Sequence, residues 1–157
     1  DDTQFNKNCI SIFSMNISSL KAHINELIIY LSSINNKFDI IVLSEIWMKD
    51  ECDIKINGYQ VFHSLELINK SDGVSLLIID DCTFDNISTQ NVDNCSSIQL
   101  SVNKGGFQYK VTGIIYRSQC YNTKQFITSL DDYLSDNDFK SNNYIICGDI
   151  NINLFSN

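Results

Sequence analysis

Apolar residues fall along this chain in two kinds of run, and their spacing predicts a mixture of strands and helices. Residues 9–15, Cys-Ile-Ser-Ile-Phe-Ser-Met, form an apolar run of strand length. Across residues 19–35, Leu20, Ile24, Leu27, Ile28, Leu31 and Ile34 line one face of a helix. Ser18 or Ser19 stands where a side-chain oxygen can accept a free N–H of its first turn. Residues 39–45 hold the unbroken run Ile40-Ile41-Val42-Leu43, which fits a strand covered on both faces.

Asn57-Gly58 signals a turn into a short strand, Tyr59 to Phe62, and Asp72-Gly73 opens another, Val74 to Ile79. Residues 81–95 read as polar and turn-rich. Ile98, Leu100 and Val102 then alternate inward, and Lys104-Gly105-Gly106 turns the chain into a hairpin strand, Phe107 to Tyr116. Asn122 or Thr123 caps a second helix with apolar positions Phe126, Ile127, Leu130, Tyr133 and Leu134. Asn143 to Cys147 is a last buried strand, leading into Gly148-Asp149-Ile150-Asn151. Helices over a mixed sheet make an α/β sandwich. With no repeat, linker or low-complexity tract, residues 1–157 form one domain.

Composition narrows the class. The 157 residues are 43% hydrophobic and 19% charged, enough for a core and unlike a disordered chain. Every apolar run has strand length, so no membrane partner is expected. The opening Asp1-Asp2-Thr3-Gln4 lacks both an initiating Met and a basic signal-peptide segment, so the chain is expected to be part of a longer product. A net charge of −8 argues against a sequence-independent nucleic-acid clamp. It leaves room for an enzyme that meets phosphate through a divalent cation, whose charge reverses the local field. The six cysteines lack zinc-ligand spacing and are expected to be reduced and structural. The Asn-x-Ser sequons, as at Asn16 and Asn69, are expected by chance in so Asn- and Ser-rich a chain.

Candidate chemistry sits where apolar runs end. Asn16 closes the first strand, Glu45 the second, Tyr116 and Arg117 the hairpin strand, and Asp149 and Asn151 follow the last. Gathered on one rim, these groups suit phosphodiester hydrolysis. Mg²⁺ takes oxygen ligands, commonly one or two carboxylates plus waters. A second carboxylate can orient or deprotonate water, and amide and phenol donors can hold phosphate oxygens without adding negative charge. Each residue alone also fits a plainer role. Asn16 and Gly148-Asp149-Ile150-Asn151 could be turns, Glu45 a solvated strand end, Tyr116 core packing and Arg117 a surface residue. Trp47 is expected in the core.

The ordered set resembles the endonuclease/exonuclease/phosphatase family. Asn16-Ile17-Ser18-Ser19-Leu20 resembles the family's Asn-Ile-Arg-Ser-Leu, and Ser44-Glu45-Ile46-Trp47 its Thr-Glu-Thr-Trp. Asn57-Gly58-Tyr59 resembles its Gly-Tyr turn, and Asp72-Gly73-Val74 its Gly-Gly-Gly-Val. Gly113-Ile114-Ile115-Tyr116-Arg117 is similar to its Tyr-Arg-Pro-Pro strand end, and Gly148-Asp149-Ile150-Asn151 to Gly-Asp-Phe-Asn. The flavour is that of endonuclease domains of non-LTR (LINE-type) retrotransposons. The resemblance implies an incomplete four-layer, DNase I-like α/β sandwich with mixed β-sheets. It implies Mg²⁺ (or Mn²⁺) held by Glu45 with Asn16 beside it, and Asp149 positioning or activating water. By the same resemblance Asn151 would hold Asp149 and the scissile phosphate, and Tyr116 would donate to a phosphate oxygen. It further implies DNA as substrate, a reverse transcriptase domain in the parent polyprotein, and an intracellular protein that is nuclear when it acts.

The departures carry their own expectations. Ser18 stands for the motif's Arg, Ser71 and Asp72 for glycines, and Ser118-Gln119 for the paired prolines. The family's closing Ser-Asp-His motif has no counterpart. His23 and His63 are the chain's histidines, and neither matches it. The stretch alone is therefore expected to have little or no activity. A decayed retroelement copy, or a phosphatase acting on a small phosphate ester, remains as an alternative.

Overall fold

The computed structural model describes residues 9–34, 37–50, 53–64, 72–116, 122–136 and 143–152. In chain order the elements are β1 (Ile12–Asn16), α1 (Leu20–Ser33), β2 (Ile40–Ser44), β3 (Tyr59–His63), β4 (Val74–Ile79), β5 (Thr83–Val92), β6 (Cys95–Lys104), β7 (Phe107–Tyr116), α2 (Thr123–Asp136) and β8 (Asn143–Asp149). They build two four-stranded sheets, ordered β1-β2-β4-β3 and β5-β6-β7-β8. Both sheets are mixed. β1 and β2 are parallel neighbours joined through α1, and β7 and β8 are parallel neighbours joined through α2. A parallel pair needs such a crossover, because its strands start at the same edge. The remaining pairs are antiparallel.

Side-chain alternation explains the layers. Ile40 and Val42 of β2 point into the core between the sheets, with Val74, Leu76 and Ile78 of β4, and meet Ile98, Leu100, Val102 and Val111 of the second sheet. Ile41, Leu43 and Leu77 point the other way, against Leu20 and Leu27 of α1. The unbroken apolar run of β2 thus serves two cores at once. On the far side Phe126 and Tyr133 of α2, seven residues apart and on one helical face, pack with Val92 and Cys95. Helix, sheet, sheet and helix make the four layers of the α/β sandwich that the resemblance implies.

Several local expectations are corrected. Residues 81–95 contain the ten-residue strand β5, paired with β6 across the turn at Asp93 and Asn94, both with positive φ (46° and 63°). Its polar letters belong to an edge strand with a bulge between Asp85 and Ser88. Ile28 and Ile127 sit off the buried faces of their helices and are exposed. Trp47 is not in the core: it is 41% exposed, because its backbone turns out of β2 in the left-handed region. Cys9 is likewise exposed and precedes β1. Asn122 does cap α2, its Oδ1 accepting from Lys124 N (3.0 Å) and Gln125 N (3.2 Å).

One polar clasp joins the sheets where β2 begins and β6 ends. Asp39 Oδ2 accepts from Lys104 Nζ (2.5 Å), Ser11 N (2.7 Å) and Ser11 Oγ (2.7 Å). Burial alone would raise the Asp39 pKa, but the hydrogen bonds from Lys104 and Ser11 outweigh it and hold the carboxyl below its ordinary 3.8. A carboxyl whose pKa is lowered by folding stabilises the fold above its unfolded pKa, and that contribution fades as pH falls through the folded value. Lys104→Met is expected to cost about 2 kcal/mol at neutral pH, measured by urea unfolding. The deficit should shrink below pH 3.8 as Asp39 loses its charge. A Lys104→Met variant as stable as the parent at pH 7 contradicts the clasp.

Candidate active site

The strand ends converge as their register requires. β1 and β2 run parallel with Asn16 opposite Ser44, so Glu45 emerges beside Asn16. β8 of the other sheet ends at Asp149, opposite Tyr116 of β7. Asn16 Nδ2 donates to Glu45 Oε1 (2.7 Å) and to Asp149 Oδ2 (3.4 Å). Those two carboxylate oxygens therefore lie within 6.1 Å of each other, the sum of the two legs. Glu45 and Asp149 thus share one rim, each half-buried.

Asn16 is held from its other end. Its Oδ1 accepts from Ser18 N (3.0 Å) and Ser18 Oγ (3.2 Å). The carboxamide oxygen expected beside a metal is turned toward Ser18, and the amide N–H groups face the carboxylates. Asn151 meets Asp149 through its backbone, N to Oδ1 at 3.1 Å. Tyr116 has its backbone at the end of β7, but its side chain lies outside the described part of the chain, as do Arg117, Ser118 and Gln119. His23 pairs with Glu26 (2.5 Å) on α1. His63 bonds Ser75 Oγ (2.6 Å) at the end of β3, where burial lowers the imidazole pKa. A groove of about 440 Å³ between the sheets is lined by Ser14, Met15, Asn16, Ser44 and residues 148–152, within the usual range for small-ligand sites.

The loops that carry these groups are strained and stitched together. Ser18, Ser19, Glu45, Trp47 and Asn151 have positive φ (46°, 94°, 56°, 54° and 46°), which is costly for residues with a side chain. Backbone bonds hold three of them, Ser19, Glu45 and Trp47: Ser19 N to Glu45 O (2.8 Å), Leu20 N to Ile46 O (3.0 Å) and Trp47 N to Asp72 O (3.2 Å). The carbonyls of Glu45 and Ile46 serve the N–H groups of Ser19 and Leu20 at the start of α1. The side-chain cap expected from Ser18 or Ser19 is absent: Ser19 occupies the cap position without capping, and Ser18 turns to Asn16. Ser18, which from the sequence offers a helix cap and stands where the motif has Arg, instead holds Asn16, a role that sequence reasoning missed. The Asn-x-Ser spacing of an Asx-type turn was the available signal.

The donor set fits a hard divalent cation. Two carboxylates approach with an amide between them, and like charges so placed favour a cation. Among the described residues, no group of three or more His, Cys, Asp and Glu gathers as a metal cluster. A site here would rest on the two carboxylates with water, as Mg²⁺ tolerates and zinc does not.

Comparison of the sequence with protein-family models finds no match, and comparison with curated proteins finds none. Solved structures do match. TDP2 from Caenorhabditis elegans superposes with a TM-score of 0.67 at 13% identity, over 92% of this chain and 48% of that one. An AP endonuclease from Archaeoglobus fulgidus gives 0.65 at 19%, over 92% and 58%. D. rerio TDP2 complexed with single strand DNA product gives 0.63 at 15%, over 92% and 61%. The fold is therefore the DNase I-like one of endonuclease/exonuclease/phosphatase enzymes. The chain spans between 48% and 61% of the length of these three structures.

Glu45→Gly tests the strain directly. Glycine adopts positive φ without penalty, so this variant is expected to gain about 1 kcal/mol in urea unfolding despite losing its side chain. A loss of stability would mean that the carboxylate, and not the backbone, is what the local structure needs.

Proposed function

We propose that this chain is the DNA-nicking endonuclease domain of a non-LTR retrotransposon polyprotein, hydrolysing phosphodiester bonds with Mg²⁺ (or Mn²⁺). The observation that carries the reading is the meeting of Glu45 and Asp149, from different sheets, on the one carboxamide of Asn16. The motif order and the DNase I-like fold support it. DNA as substrate is supported by the relative of this fold whose structure contains a single-stranded DNA product.

Glu45 would hold the cation, which supplies Lewis-acid polarisation of a phosphoryl oxygen and offsets the charge that develops there. Asp149, anchored by Asn151 N, orients a water for in-line attack and takes its proton. The carboxamide of Asn151 and the phenol of Tyr116 donate to phosphate oxygens. Asn16 keeps the two carboxylates together. The net charge of −8 makes the cation the principal local attraction for a polyanion. A reverse transcriptase domain in the same polyprotein and action in the nucleus complete the proposal. Among the described residues, no helix is long and apolar enough to cross a membrane.

A supercoiled-plasmid nicking assay on the full natural protein tests this. Mg²⁺-dependent open circles are expected, with a loss of about a hundredfold or more in Glu45→Ala and Asp149→Ala. Unchanged nicking in either variant refutes its role. Turnover of a small phosphate ester with none of DNA would move the substrate class. No turnover of either substrate would favour a decayed copy.

A further inference from the structure

Of the two orientations open to the Asn16 carboxamide, one suits the carboxylates. With Nδ2 toward Glu45 and Asp149 it donates to both; turned over, its oxygen would face two anions. The terminal torsion of Asn is broad and roughly two-fold, so rotamer preference does not choose between them. Ser18 makes the choice. Its backbone N–H can only donate and so demands Oδ1 on its side, and its hydroxyl, able to donate or accept, adds a second donor to the same oxygen. Ser18 pays for this placement with a φ of 46°.

We propose that Ser18 is a positioning residue whose hydroxyl locks Asn16 as a donor strap between Glu45 and Asp149. The carboxylate pair is then assembled before a cation arrives, and Asn16 serves the site as an amide donor, not as an oxygen ligand. The idea rests on the reading of this rim as a divalent-cation site. It differs from a merely structural role, in which Ser18 just fills a turn that requires positive φ. For such a turn glycine would serve better and threonine worse.

Two substitutions in the full natural protein separate these roles. Ser18→Gly keeps the backbone N–H and relieves the strain but removes the hydroxyl. Ser18→Thr keeps the hydroxyl and worsens the strain. The lock predicts that Ser18→Gly melts at or above the parent temperature yet binds Mg²⁺ about tenfold more weakly by calorimetry, as expected when a residue orienting metal ligands is lost. Ser18→Thr melts lower yet keeps parental affinity. In the metal-free protein, NMR should show the Asn16 side-chain NH₂ protons shifted by hydrogen bonding in the parent and in Ser18→Thr, and near solvent-exposed values in Ser18→Gly. Parental Mg²⁺ affinity and unchanged Asn16 signals in Ser18→Gly overturn the proposal. If the parent binds no Mg²⁺ at all, the cation-site reading fails, and the NMR comparison still decides whether Ser18 holds the carboxamide.

Discussion

The Asn16 side chain joins the two sheets of this structure at the rim of the proposed site. Asn16 sits at the end of an edge strand in one sheet and donates to a carboxylate from its own sheet and to one from the other. Two carboxylates left facing each other across a gap between sheets repel, and repulsion would push the strand ends apart. An amide offers two N–H groups and adds no charge, so it can satisfy both anions without neutralising either. The negative charge on which the proposed cation site rests is therefore retained.

The fold delivers the strand ends to that point from two directions. In each sheet a helix returns the chain so that two strands run parallel, and their C-terminal ends reach the same edge. Residues after such ends leave the apolar layers and can be polar without disturbing the core. The Asp39–Lys104 clasp ties the sheets where β2 starts and β6 ends. The apolar contacts of β2 and β4 with β6 and β7 fix their separation. Against this frame the rim loops can hold five residues at positive φ, because backbone bonds between loops restrain Ser19, Glu45 and Trp47, and bonds to the side chains of Asn16 and Asp149 restrain Ser18 and Asn151.

Much of this could be read from the sequence, and the misses have physical causes. The run Ile40 to Leu43 implied a strand covered on both faces, and each face does meet a different core. The polar residues after apolar runs were legible because a strand must end where its burial ends. β5 was missed because an edge strand with a solvated face shows no alternation strong enough to outweigh its turn-forming residues. Trp47 was placed in the core on the strength of its hydrophobicity, but a left-handed backbone at positions 45 and 47 rotates it outward. Ile127 fell on the wrong side of α2 because the helix buries a narrow stripe through Phe126 and Tyr133. The contact between Asn16 and Asp149, 133 residues apart, was legible only through the order of the motifs. Spacing says nothing about two separate sheets facing each other.

The central claim is that Glu45 and Asp149 form one site for a divalent ion. Titration of the full natural protein with substoichiometric Mn²⁺, read by paramagnetic broadening of backbone amide signals, tests it most directly. The account predicts that the amides of Asn16, Glu45 and Asp149 broaden together at the lowest Mn²⁺ concentrations, and that Mg²⁺ restores all three. Broadening at Glu45 without Asp149, or first at residues distant from both, contradicts it.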